Sequence, residues 1–145
     1  MKRSIAAIAL FVASIFITAG VWAQSVEATI PFDFIVNDTT VPAGTYTISS
    51  ASQDHNVLRI ASNQIASNQK DIDLLISALP DRGSAGKASV LVFHKYGNQY
   101  FLSQIRNETA SMYLRVPVWG AEKRARMQTQ VSALPPSNDV IVGTN

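Results

Sequence analysis

The chain has 145 residues, of which 12 are basic and 10 acidic, and it contains no cysteine. Two of the basic residues, Lys2 and Arg3, lie at the start, which leaves 10 basic and 10 acidic residues in the rest of the chain. This neutral balance argues against nucleic-acid binding, which needs a basic face, and the lack of cysteine excludes a disulfide framework.

The first 23 residues have the three parts of a secretory signal peptide. A positive start is followed by an apolar stretch over residues 5–17 and by a cleavage site at Val21-Trp22-Ala23. We therefore predict cleavage after Ala23 and a periplasmic or secreted protein that begins at Gln24. A transmembrane anchor is the alternative, but the apolar stretch is short for a span of about 20 residues, and no basic stop-transfer cluster follows it.

The mature chain is long enough to form one core without disulfides. The absence of cysteine is more typical of bacterial exported proteins than of eukaryotic extracellular ones. We predict a β domain over residues 24–133 and a flexible tail over residues 134–145.

The first predicted strand alternates apolar and polar residues over residues 26–36, which is typical of a half-buried antiparallel strand. Pro31 lacks an amide hydrogen, so we expect this strand to lie at a sheet edge or to bend there. A turn follows at residues 41–44, where Gly44 is expected to take a positive φ. β-Branched and aromatic residues predict the next strand over residues 45–49.

A turn at residues 52–56 and a third strand over residues 57–60 come next. The sequence Ile-Ala-Ser-Asn-Gln at residues 60–64 is then repeated at once at residues 65–69. A five-residue unit that occurs twice is too short for a solenoid. We interpret it as a duplication in a surface loop, with an extended strand as the alternative.

The clearest hairpin of the chain is predicted within residues 88–106. Before it, residues 71–79 form an alternating strand that Leu75 interrupts, and residues 80–86 form a loop. Gly97-Asn98 has the composition of a two-residue turn between two strands. This turn predicts four cross-strand pairs, which are Phe93 with Leu102, Lys95 with Tyr100, His94 with Phe101, and Val90 with Ile105.

The C-terminal part of the chain contains a further strand and a helix. Residues 111–119 alternate up to Pro117, which favours a sheet edge or a strand end. Residues 121–131 favour a helix by propensity, with a weak apolar stripe of Ala121, Ala125 and Met127. Residues 139–145 are either a frayed tail or one added strand.

These elements predict an all-β fold, a small antiparallel sandwich or barrel of six to eight short strands with one C-terminal helix. A transmembrane barrel would need about eight strands of 9–11 residues, and several strands here are shorter.

No arrangement of residues predicts a reaction, a metal site or a phosphate site. His55 lies in a turn, where we expect it to be solvated, and His94 lies in the hairpin, where we expect it to be packed or on the surface. No serine lies in a Gly-x-Ser-x-Gly elbow. Asp71 and Asp73 share one strand face and are interpreted as solvated carboxylates. We therefore predict no catalytic residue, no metal and no cofactor.

Aromatic residues are concentrated in the later part of the chain. They could line a cavity or a binding strip, although filling the core of a small β domain is the interpretation that we favour. The candidate ligand-binding residues are Phe93, Tyr96, Tyr100, Phe101, Tyr113 and Trp119.

Four ordered segments resemble a group of small exported proteins that is abundant in acidobacterial genomes. The segments are IPFDFIV at residues 30–36, VPAGTYTI at 41–48, LVFHKYG at 91–97 and YFLSQI at 100–105. That group similarly carries a signal peptide, a PFDF strand, an LPAGTYT turn and an FHRYGDQYFLSQ hairpin. The resemblance covers most of residues 25–106. It implies export and a shared β fold, and it implies no catalytic residue, because the group is of unknown function.

Three hypotheses about function follow. The first is an exported, non-catalytic binding or interaction module whose partner is another exported protein. The second is a β-barrel carrier of a small apolar ligand, which the aromatic residues favour. The third and weakest is a hydrolase that uses His94 with Asp33 or Asp71. None of them involves nucleic acid or a membrane span after signal cleavage.

Overall fold

Two packed β-sheets and one helix make up the described part of the chain. The structure, a computed structural model, describes residues 25–63, 71–81, 89–131 and 138–144. The predicted signal peptide, the second copy of the repeat and most of the loop predicted over residues 80–86 lie outside these ranges. The elements are β1 (Ser25–Ile30), β2 (Phe34–Val36), β3 (Thr39–Val41), β4 (Gly44–Ser50), β5 (Val57–Ser62), β6 (Asp73–Ser77), β7 (Leu79–Pro80), β8 (Val90–Tyr96), β9 (Gln99–Asn107), β10 (Met112–Arg115), α1 (Gly120–Val131) and β11 (Asn138–Gly143).

The smaller sheet has four strands in the order β1-β4-β5-β6, and all its neighbours are antiparallel. Every second side chain of β1 is buried, from Val26 to Ile30, as the alternation predicts. Strand β1 lies at the edge of this sheet and ends before Pro31, so both expectations for Pro31 are confirmed. The chain then enters the other sheet, which divides the single strand predicted over residues 26–36 into β1 and β2.

The larger sheet has the order β11-β8-β9-β10-β7, and β2, which also pairs with β3, joins β9. Its neighbours are antiparallel except β2 and β9, which are parallel. Strand β11 pairs with β8 along its whole length. The prediction of a flexible tail over residues 134–145 is therefore wrong for the residues of β11, and the alternative of one added strand is confirmed. The physical reason is that Val140 and Val142 pack against the core.

The predicted all-β sandwich with a C-terminal helix is confirmed. The described residues form eleven strands rather than six to eight, because pairings as short as β3 and β7 leave no pattern in the sequence. Strand β7 includes Pro80, which was predicted to begin a loop and instead faces Leu114. Side chains from both sheets meet in one core, with Phe34, Tyr46 and Phe93 among its fully buried members.

The hairpin of β8 and β9 has the predicted two-residue turn, with Gly97 at a φ of 60°. Three predicted pairs are confirmed: Phe93 with Leu102, His94 with Phe101, and Lys95 with Tyr100. The predicted pair of Val90 with Ile105 is wrong, because a β-bulge shifts the register and Leu91 faces Ile105 instead. The extra residue that the bulge inserts in β9 is Ser103.

The turn before β4 is closed by side chains rather than by a left-handed glycine. Oδ1 of Asp33 accepts a hydrogen bond from the backbone N of Ala43 at 2.8 Å. The hydroxyl of Tyr46 donates to the carbonyl oxygen of Pro42 at 2.6 Å. The positive φ predicted for Gly44 is therefore wrong, because strand β4 already begins at this residue.

Candidate functional site

Strand β8 directs consecutive side chains to opposite faces of the larger sheet. Phe93 is completely buried in the core between the sheets, whereas His94 lies on the outer face. Helix α1 packs against β8 on that outer face, where Glu122 accepts a hydrogen bond from His94.

Helix α1 confirms the helix predicted over residues 121–131, and Ala125 of the predicted apolar stripe is buried. Its buried residues are Glu122, Ala125 and Thr129, whose spacing places them on one face of the helix. The predicted apolar stripe is wrong at Met127, which is exposed. The helix turns a polar side inward because His94, beneath it, provides a hydrogen-bond partner for the carboxylate.

His94 is hydrogen-bonded through both ring nitrogens. Its Nδ1–H donates to Oε1 of Glu122 at 2.8 Å, and its Nε2 lies 2.9 Å from Oγ of Ser103 at the bulge. Oδ1 of Asp139, on β11, lies 3.8 Å from the same Nε2. Ser103 and Glu122 are each only 4% exposed. One imidazole thus connects β8, β9, β11 and α1. We call His94, Ser103, Glu122 and Asp139 together the His94 cluster.

The charges in the His94 cluster favour a protonated imidazole. The hydrogen bond to Glu122 raises the pKa of His94 above its ordinary value, and the negative charges of Glu122 and Asp139 act in the same direction. Burial and the positive charge of Arg126 oppose this rise in pKa without cancelling it. A protonated His94 donates from both nitrogens and compensates the charge of the buried carboxylate.

The first turn of α1 is fixed by a residue far away in the sequence. Oδ1 of Asp38 accepts a hydrogen bond from the backbone N of Ala121 at 2.7 Å, which satisfies one of the free amides at the helix start. Asp38 lies between β2 and β3 at a φ of 59°, a left-handed conformation that aspartate tolerates. The position of α1 therefore depends on polar contacts with two different parts of the larger sheet.

Ser103, His94 and Glu122 have the connectivity of a nucleophile, a base and an orienting carboxylate. One feature of the cluster disfavours such a reaction. Ser103 is buried, which keeps its hydroxyl from a substrate. In this structure, the His94 cluster links α1 and β11 to the β8–β9 hairpin.

The structure divides the aromatic candidates between the two faces of the larger sheet. On the core face, Phe32 stacks on Tyr100 with 4.0 Å between ring centroids and meets Phe93 edge-on at 5.2 Å. On the outer face, the rings of Tyr96 and Phe101 are 5.8 Å apart. These four candidates therefore do not line one cavity.

A small cleft lies beside the first turn of α1. Trp119, Phe101 and Glu122 contribute to its walls, together with residues of β2. Its volume is about 10 Å³, which is room for one water molecule. Tyr113, the last aromatic candidate, lies on β10 opposite Arg106. The cleft thus gathers two of the six aromatic candidates and is too small for an organic ligand.

The carboxylates proposed to act with His94 have other partners. Asp33 closes the turn before β4, and Asp71 accepts a hydrogen bond from Oγ of Ser62 at 3.0 Å. Asp73 accepts two hydrogen bonds from Arg59, each at 2.7 Å. The carboxylate that His94 does contact comes from the helix.

Neither hydrogen-bond partner of His94 was predicted from the sequence. Glu122 is the single acidic residue of α1 and is followed by three basic residues, so an isolated acid in a basic helix was the available signal. For Ser103 the available signal was the hairpin register, because a two-residue turn places Ser103 opposite Val92, on the same sheet face as His94.

Among the described residues, no group of three or more histidine, aspartate or glutamate side chains could hold a metal ion. No helix within the described ranges is long and apolar enough to cross a membrane. In comparisons with known proteins, no family model, no curated protein and no solved structure matches the chain.

Proposed function

We propose that this chain is an exported, non-catalytic binding module and that its partner docks on the outer side of α1. The observation that carries the proposal is the polarity of the helix. It buries Glu122 and Thr129, whereas Met127 and Val131 are 59% and 87% exposed. A helix whose only role is to cover a sheet would turn its apolar residues inward.

The outer side of α1 has a defined chemistry. Met127 and Val131 are four residues apart, so their side chains adjoin on the helix surface. Lys123, Arg124 and Arg126 are exposed on the same helix, and its single acidic residue is buried. This combination suits a protein partner that offers an apolar groove with acidic side chains at its rim.

Export is the other part of the proposal, and it is supported by the sequence. The three-part leader over residues 1–23 would deliver a chain with 10 basic and 10 acidic residues to the periplasm or the exterior. A partner in that compartment is another exported protein. The neutral balance gives no support to nucleic acid or to an anionic membrane.

The test compares three tagged proteins as baits in an extract of exported proteins. They are the wild type, a Met127→Gln/Val131→Gln double variant, and a Leu75→Gln control, because Leu75 is exposed on β6 of the other sheet. Glutamine keeps the helix propensity and removes the apolar surface. We expect a discrete protein partner to be retained by the wild type and the control and lost by the double variant.

Two results would count against the docking proposal. One is a wild type that retains no protein. The other is retention of the same proteins by all three baits, which would place the contact elsewhere on the surface.

The carrier hypothesis has less support. Side chains of both sheets form one apolar cluster between them. The cleft beside Trp119 has a volume of about 10 Å³, whereas small-molecule pockets occupy roughly 300–1,000 Å³.

A serine hydrolase is the second candidate function, because Ser103, His94 and Glu122 stand in hydrogen-bonded order. Such an enzyme would require the buried Ser103 to become accessible. Labelling of the wild type but not of Ser103→Ala by a fluorophosphonate probe would favour this candidate. A wild type that is not labelled from mildly acidic to alkaline pH would remove it.

A further inference from the structure

We propose that α1 is a lid on the outer face of the larger sheet, held closed by the His94 cluster and released as the pH rises. This inference goes beyond the proposed function, because it concerns how the helix is held rather than what binds to its outer side.

Apolar burial holds α1 only weakly. Of its buried residues, Glu122, Ala125 and Thr129, only Ala125 is apolar, and a methyl group removes little apolar surface from water. The hydroxyl of Thr129 donates to the carbonyl oxygen of Ala125 at 2.9 Å, so it is used within the helix itself. The attachment of α1 therefore depends on the hydrogen bonds that Glu122 accepts from His94 and, at 3.5 Å, from the hydroxyl of Tyr96, and on the cap of its first turn.

The net charge around the hydrogen bond from His94 to Glu122 changes when the imidazole of His94 gains or loses a proton. The groups that face His94 are Glu122 and Arg126 from α1, Asp139 from β11, Ser103 from β9 and Tyr96 from its own strand. When His94 is protonated, its positive charge lies between two carboxylates. When the proton leaves, the ring and the hydroxyl of Tyr96 can still donate to Glu122, but the positive charge that compensated its buried carboxylate is lost, which weakens the attachment of the helix. Release of the helix returns that carboxylate to water.

The direction of the pH dependence follows from the pKa of His94, which the hydrogen bond to Glu122 raises. A group whose pKa is higher in the closed state stabilises that state fully below its ordinary pKa, about 6.5. This stabilisation is lost as the pH rises through the higher pKa of the closed state. The closed lid is therefore favoured at mildly acidic pH, and release is favoured on the alkaline side.

Release of α1 would uncover apolar side chains on the sheet. Val92 and Phe101 lie on the same outer face as His94 and are buried. Ile141, which is opposite Val92 on β11, is already exposed. The open state would uncover Phe101 in particular, because its side chain lines the cleft beside Glu122 and Trp119.

Trp119 is a natural reporter of this movement, because it directly precedes α1 and its indole Nε1 is buried. The other tryptophan of the chain is Trp22. In protein exported from the full gene with Trp22→Phe, Trp119 is the single tryptophan whether or not the leader is removed. Between about pH 6 and about pH 9, we expect its emission to shift to longer wavelength and acrylamide quenching to increase severalfold. The far-UV β-sheet signal should persist.

Three variants in the Trp22→Phe background separate the lid from other causes. His94→Gln should abolish the transition. Glu122→Gln should also remove most of the transition, because the buried carboxylate that raises the pKa of His94 is gone. The matched control is His55→Gln, since His55 is exposed and bonded to Ser50 at 3.0 Å, and it should leave the midpoint unchanged.

A wild type without a transition would overturn the proposal. So would a folded His94→Gln protein that keeps the transition of the wild type. If His94→Gln does not fold, Glu122→Gln decides, and a Glu122→Gln protein that keeps the transition of the wild type refutes the lid.

Discussion

At the scale of single residues, the side chain of His94 connects four elements of the fold. Its ring nitrogens contact Glu122 on α1 and Ser103 on β9, and Asp139 on β11 lies close to Nε2. Most side chains that fix the termini of a small β domain are apolar. Here a titratable group performs part of that task, so the attachment depends on pH.

The free energy of unfolding of the wild type should fall as the pH rises above about 6.5. The pKa of His94 is raised in the folded state, chiefly by its hydrogen bond to Glu122, so its stabilising contribution is present at lower pH and lost as the proton leaves. Urea denaturation at a series of pH values measures this slope. The His94→Gln variant should show a flatter profile, and parallel profiles for the two proteins would contradict the assignment.

Gly97→Ala should destabilise the protein by about 1 kcal/mol. Gly97 has a φ of 60°, and an added Cβ would meet no atom within 4 Å, so the cost is one of backbone conformation alone. Urea denaturation compares it with Gly143→Ala, where a Cβ also has open space and the φ is not positive. Equal losses in the two variants would show that the left-handed turn is not the cause.

The hairpin shows what the sequence can and cannot specify at this scale. The composition of Gly97-Asn98 and the alternation of the strands were sufficient to predict the pairs near the turn. The pair predicted beyond the bulge, Val90 with Ile105, was one residue out of register, because no local pattern marks an inserted residue. The candidate site was missed because Glu122 reaches His94 from a helix 28 residues away in the sequence.

At the scale of secondary-structure elements, α1 is the unusual part of the molecule. Its existence was predictable, because residues such as Ala, Glu, Lys, Arg, Met and Gln favour a helix. The burial of Glu122 was not predictable, because its carboxylate faces inward only where the sheet supplies His94 as a hydrogen-bond partner. The bend at Pro31 was likewise predictable, but the transfer of the chain to the second sheet was not.

Asp38→Ala should destabilise the protein by at least about 1 kcal/mol, because it removes a helix cap and places alanine at a left-handed φ of 59°. The carboxylate of Asp38 accepts the hydrogen bond of the Ala121 amide at 2.7 Å, and alanine would leave that amide without this acceptor. Thermal unfolding measures the loss. The control is Asp54→Ala, because Asp54 is exposed in the turn between β4 and β5. A loss no larger than that of the control would mean that the cap contributes little.

At the scale of the whole molecule, two sheets share one core, and the polar contacts of α1 lie outside it. The all-β class could be predicted because alternation repeats in segment after segment. The sheet to which each strand belongs could not be predicted, since it is decided by contacts between residues far apart in the sequence, such as the parallel pairing of β2 with β9.

Ile60→Ala should destabilise the protein by about 2–5 kcal/mol, because it leaves a cavity in the core. Ile60 is completely buried in β5 between β4 and β6. Leu75→Ala, at an exposed position of β6, should change the stability by less than about 0.5 kcal/mol. Urea denaturation of both variants checks this contrast, and similar losses would mean that β6 has a covered outer face.

The central claim is that a protein partner docks on the outer side of α1, and native mass spectrometry of protein purified from its own exported compartment tests it most directly. We predict the mass of the chain plus that of a second protein, with the second mass lost on denaturation. The Met127→Gln/Val131→Gln variant should give the mass of the chain alone. The bare chain mass for both proteins, or a small-molecule adduct retained by both, would contradict the account.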